Sequence, residues 1–70
     1  MVISVFKTSI EERDIISLSP ELNKLNGISN WNTDLEDCDN ILRVVSHDDM
    51  AEEIKSILSK QGFLCEELVD

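Results

Sequence analysis

Two cysteines, one histidine and fifteen acidic side chains are the groups in this 70-residue chain with reactive or ligating chemistry. Cys38 stands in the densest acidic stretch, among Asp34, Glu36, Asp37 and Asp39. A thiol there reads either as a ligand for a soft metal ion or as a contact point for a partner. The same stretch superficially suggests a calcium loop. It lacks the central glycine and the distal bidentate glutamate of such a loop, and alternate residues of a short hairpin point to opposite faces. It therefore reads as a solvated cluster, and a fixed negative patch of this kind speeds encounter with a basic partner. Cys65 follows Phe63 and Leu64 and reads as a small buried filler.

Other chemistries find little support. His47 is flanked by Asp48, with no serine or cysteine predicted nearby to complete a nucleophilic triad, and reads as an exposed residue in the first turn of a helix. The chain has only two glycines, both at predicted helix ends, so a glycine-rich phosphate loop is excluded. No general acid–base pair falls in a plausible pocket, so the chain does not read as an enzyme.

Six basic residues against fifteen acidic ones give a net charge of −9. The basic residues are scattered, which disfavours direct nucleic-acid binding and anionic membrane surfaces. A basic protein partner, a cation or self-association stays compatible, and the charge also keeps a small domain soluble. The 41% hydrophobic fraction and its regular spacing mark a folded chain, not an acidic tail. A single domain spanning 1–70 is expected, with one sheet face covered by one layer of helices, because a chain this short buries only about 60% of its unfolded surface. No apolar run approaches the length of a spanning helix. Met1 to Phe6 lacks a basic leader and a small-residue cleavage site and reads as a strand. With two isolated cysteines and no disulfide framework, a reducing cytoplasm is expected.

The elements that must position these groups follow from periodicity. Val2 to Lys7 is rich in β-branched and aromatic residues and reads as the first strand. After Ser9 and the acidic opening Glu11-Glu12-Arg13-Asp14, the residues Ile15, Leu18, Leu22 and Leu25 form one stripe of an amphipathic helix. Pro20 either kinks that helix or splits it at Ser19. Gly27 ends it. A second strand from Ile28 to Leu35 places Trp31, Thr33 and Leu35 on one face. The polar tip Glu36 to Asn40 leads back through a third strand, Ile41 to Val45, in an antiparallel hairpin. Ser46, with Asp49 three residues on, reads as a capping box for a second helix carrying Met50, Ala51, Ile54, Ile57 and Leu58. Gly62 ends that helix, and Phe63 to Val69 reads as the last strand.

The order strand, helix, strand, strand, helix, strand is that of the α+β ferredoxin-like fold, a four-stranded antiparallel sheet in order 4-1-3-2 with both helices on one face. That topology brings the first loop, the hairpin tip and the turn after the second helix to one end. Strand four and the hairpin tip lie on opposite sides of strand one, which works against a site shared by Cys38 and Cys65.

Over nearly the whole chain the pattern resembles the heavy-metal-associated domain family of copper chaperones and transporter modules. Leu22 to Ile28 is similar to the family's helix end and Gly-Val step. Trp31, Thr33, Asp34 and Leu35 occupy its Val-Xaa-Val-Asp-Leu strand, and Glu53-Ile54 through Gly62-Phe63 is similar to its second helix and the turn beyond. The family's function rests on Met-Xaa-Cys-Xaa-Xaa-Cys in the first loop. An ungapped overlay puts Thr8 at the glycine before that motif, Ser9 at its methionine, and Glu11 and Asp14 at its cysteines. The resemblance therefore implies the scaffold without its soft-metal site or any cofactor. Glu11 and Asp14 read as ordinary acids at a helix start. The expected function is a non-enzymatic binding module meeting a protein partner through Asp34, Glu36, Asp37, Cys38 and Asp39. The alternative is a divergent metal or small-ligand binder using Cys38 with Glu11 and Asp14.

Overall fold

The computed structural model describes residues 1–36 and 38–68. Its elements run β1 (Val2–Thr8), α1 (Glu12–Asn23), β2 (Ile28–Asp34), β3 (Ile41–Ser46), α2 (Ala51–Lys60) and β4 (Cys65–Glu67). All strand pairings are antiparallel, and the sheet order is β2-β3-β1-β4. This is the expected ferredoxin-like arrangement. Among the described residues no helix is long and apolar enough to cross a membrane.

Alternation in the central strands decides which sheet face is covered. Ser4, Phe6 and Thr8 of β1 and Leu42, Val44 and Ser46 of β3 are buried, and the register pairs Ser4 with Val44 and Phe6 with Leu42, so they share one face. Leu18 and Leu22 of α1 and Ala51, Ile54 and Leu58 of α2 close over that face, joined by Ile10, in one core cluster. The shortest dimension of the molecule is 17 Å, room for one sheet and one helical layer. Among the described residues, the second face of the sheet has no layer over it.

Pro20 does not split α1, which runs through it unbroken. Its missing N–H removes one backbone bond, and the helix is held by Leu18 and Leu22, both on the core side. Gly27 (φ +100°) turns the chain into β2, and its carbonyl accepts the His47 N–H at 2.8 Å. A register shift between Ile28 and Asn30 makes a bulge at Ser29. One extra residue reverses the alternation, so Ile28 and Trp31 both pack against the core.

Three local boundaries differ from the expectation. Ser46 ends β3 and is fully buried, and its hydroxyl donates to the Asp48 carbonyl at 2.6 Å. The capping of α2 falls to Asp49, whose carboxylate accepts the Ala51 N–H at 3.0 Å. His47 consequently lies before the helix, exposed in the connection. At the other end of α2, Gly62 (φ +87°) and two backbone bonds, Gly62 N–H to Ser59 O and Phe63 N–H to Leu58 O, wrap the chain back on the helix. That closure uses Phe63, so β4 is shorter than expected and begins at Cys65. Val69 lies outside the described residues.

Candidate functional site

The end of the domain carrying the first loop is held by a set of hydrogen bonds from Thr8 and Ser9. The Thr8 N–H donates to the Asp39 carbonyl at 3.1 Å, and the Thr8 hydroxyl donates to the Asn40 carbonyl at 2.6 Å. The same hydroxyl oxygen accepts the Ile10 N–H at 3.2 Å. Ser9 faces the other side: its N–H donates to the Leu64 carbonyl at 3.3 Å and its Oγ accepts the Leu64 N–H at 2.9 Å. Thus β1 joins the hairpin tip on one flank and the turn before β4 on the other. The three loops meet at one end, as the topology implies.

Glu11 and Asp14 are used in starting α1. The Glu11 N–H donates to Asp14 Oδ2 at 2.9 Å, and the Asp14 N–H donates to the Glu11 carbonyl at 2.9 Å. Arg13 Nε lies 3.0 Å from Glu11 Oε2. A carboxylate spent on an exposed helix N-terminus is ordinary capping chemistry. The donor set of this loop, two carboxylates and two hydroxyls, suits hard cations and does not fit a soft ion such as Cu(I).

Around the tip, Cys38 is an exposed free thiol and Glu36 is exposed. Asp34 is half-buried at the end of β2, opposite Ile41. Asp39 lies with its Oδ1 3.6 Å from Lys7 Nζ. Asp37 lies outside the described residues. Cys65 pairs with Thr8 across β1–β4, on the far flank of β1 from the tip, so the two cysteines are separated by the strand expected to separate them. Burial pushes the Cys65 thiol up to about 11, with Glu67 adding to the effect and Lys55 opposing it. At neutral pH it is a protonated, half-buried filler. Among the described residues no group of three or more His, Cys, Asp or Glu side chains is placed to hold a metal ion.

A second feature lies on the helical layer. Leu25, just past α1, and Glu52, Glu53, Ser56 and Ile57 of α2 line an open groove of about 350 Å³. Leu25 and Ile57 are half-buried against the core and form its apolar floor. Glu52 and Glu53 stand exposed in the first turn of α2, where the helix dipole favours carboxylates. The groove belongs to the end of the molecule where Gly27 meets His47, away from the hairpin tip, and none of the residues singled out around Cys38 lines it.

No family model, curated protein or solved structure matches this chain. Its function is read from the geometry of its own residues.

The groove escapes sequence reasoning because helical spacing assigns Leu25 and Ile57 to the core. Each does touch the core, yet each keeps an outward edge. The available signal is the pair Glu52-Glu53 directly ahead of Ser56-Ile57, an acidic rim one turn from an apolar residue.

Proposed function

We propose that this protein is a small non-enzymatic interaction module on a ferredoxin-like scaffold, docking a basic segment of another protein. The groove lined by Leu25, Ile57, Glu52 and Glu53 carries the proposal. An apolar floor beside two exposed carboxylates suits a segment that presents an aliphatic or aromatic anchor next to Lys or Arg. The net charge of −9 steers such a partner in from a distance. The acidic tip, with Asp34, Glu36, Cys38 and Asp39, adds to that field and offers a second contact zone. Its backbone is braced by Thr8, so a partner meets a formed surface. The hydroxyl and carboxylate chemistry of the first loop supports a role other than soft-metal transfer.

The test uses a defined probe, an unstructured peptide alternating Lys with Leu and Trp. Titrated into isotope-labelled protein, it should shift the amide signals of Leu25 and Glu52 to Ile57. Glu52→Gln with Glu53→Gln should weaken binding about tenfold, in line with two charge-assisted contacts of modest individual strength. Asp37→Asn with Asp39→Asn should have a smaller effect. Unmoved signals at Leu25 and Ile57 up to millimolar peptide would overturn the groove reading. The reverse ranking of the two double variants would transfer the docking site to the tip.

A further inference from the structure

Asn26 and Gly27 belong to the turn between α1 and β2, and the fold holds Gly27 from one side only. The Gly27 carbonyl accepts the His47 N–H at 2.8 Å, whereas among the described residues no hydrogen bond engages the Gly27 N–H. Asn26 itself is exposed. Gly27 has no side chain to shield its nitrogen. An added Cβ would meet only Met50 Sδ at 3.8 Å, so the surroundings of the turn are not crowded. An exposed carboxamide thus stands directly before an unengaged backbone nitrogen.

The other asparagines, Asn23, Asn30, Asn32 and Asn40, lack this combination. The nitrogen after Asn23 is that of Lys24, whose N–H donates to the Pro20 carbonyl at 3.2 Å. The Trp31 N–H donates to Asn30 Oδ1 at 2.9 Å, which occupies the nitrogen and the carboxamide together. Asn32 and Asn40 precede Thr33 and Ile41, β-branched residues inside paired strands. Attack by any of these nitrogens has to break a hydrogen bond or pass a branched side chain. At Asn26 neither obstacle stands.

We propose that Asn26 is a site of spontaneous modification, deamidating through a succinimide to aspartate and isoaspartate in the folded protein. Asparagine is a chemically labile residue, and here the fold leaves one of five open to reaction. The Gly27 nitrogen attacks Asn26 Cγ. The N–Cγ bond forms, the Cγ–Nδ2 bond breaks, and ammonia leaves with the Gly27 proton. Water then opens the ring. Its attack at Cγ restores the main chain with an aspartate; its attack at the main-chain carbonyl carbon reroutes the chain through Cγ as isoaspartate, one methylene longer. Either product adds one negative charge to a chain of −9. That charge falls just past the C-terminus of α1, whose last turn has no basic residue and whose dipole disfavours a carboxylate. Isoaspartate also lengthens the link between Leu25, packed against the core, and the Gly27 carbonyl, bonded to His47. One of those two anchors then has to shift. The reaction does not rest on the groove reading, although Leu25 is shared with the groove.

Ageing the full chain in mildly alkaline buffer, where the backbone nitrogen gives up its proton more readily, tests this by peptide mass spectrometry. The mass rise from NH2 to OH should appear at Asn26 before any other asparagine, with ammonia released in step. A methyltransferase selective for isoaspartate should label the same peptide. Asn26→Gln, whose longer side chain closes a less favourable ring, should lose that early signal. The modified fraction, separated by anion exchange, should melt at a lower temperature and show shifted amide signals at Leu25 and His47. If Asn26 stays intact in the folded protein while it reacts in urea, the fold protects the turn and the proposal is overturned. First reaction at Asn23, Asn30, Asn32 or Asn40 overturns it equally.

Discussion

The Thr8 hydroxyl donates to the carbonyl of Asn40, thirty-two residues later, at 2.6 Å, and Asn40 accepts the bond from a left-handed backbone conformation (φ +48°). Asparagine tolerates that region better than most residues. One short bond thus ties the end of β1 to the point where the hairpin re-enters the sheet.

Thr8→Val keeps the shape of the side chain and removes both bonds of the hydroxyl. The Asn40 carbonyl loses its donor, and the buried Ile10 N–H loses its acceptor. Leaving one buried donor unpaired costs about 1–3 kcal/mol. Urea unfolding should show a loss in that range, with Thr8→Ser recovering most of it. A loss below a few tenths would mean that water replaces the bonds.

Cys65 gives a stability term at high pH. Its thiol is held at about 11 in the folded protein against an ordinary value of 9.0. A raised folded value means that the unfolded chain releases the proton first, so stability is intact below about pH 9 and falls between pH 9 and pH 11. Cys65→Ala should flatten that part of the urea midpoint against pH. An unchanged slope would show that Cys65 does not carry the loss.

Gly27→Ala should destabilise the protein by about 1–2 kcal/mol, the usual penalty for a side chain at positive φ. Space is not the obstacle, because an added Cβ would meet only Met50 Sδ at 3.8 Å, an ordinary contact. The cost lies in the backbone (φ +100°) that aims the Gly27 carbonyl at the His47 N–H. Thermal unfolding measures it, and a neutral result would show that the turn relaxes.

Reduced protein should take up Cu(I) or Zn(II) no more tightly than through a lone exposed thiol, Cys38. Competition with a chromogenic chelator should give the same result for the parent chain and for Glu11→Gln with Asp14→Asn. A tight complex weakened by those changes would restore the metal reading of the first loop. Cys38→Ser should remove what weak binding there is.

Much of the architecture is legible in the chain. Ile15, Leu18, Leu22 and Leu25, and later Ile54 and Leu58, carry the helical period, and Gly27 and Gly62 mark where each helix must stop. Polar connections between apolar strands set the hairpin, and those constraints suffice for the element order and the sheet order. Boundaries that depend on a partner residue are less legible. Ser46 and Asp49 spell a capping box in sequence, yet burial of Ser46 at the end of β3 turns its hydroxyl to Asp48 and leaves Asp49 to cap alone. Phe63 reads as strand, but the backbone closure over Gly62 claims it for the end of α2.

By itself, the sequence determined the fold class, the strand order, the acidic character and the absence of thiolates from the first loop, because periodicity, glycine placement and residue type are local properties. Only the tertiary structure decided which surfaces are available. The bulge at Ser29, the Thr8 bracing, the groove between Leu25 and Ile57 and the uncovered sheet face all depend on residues distant in sequence being brought side by side. Exposure is a property of what packs against a residue, and no residue carries that information alone.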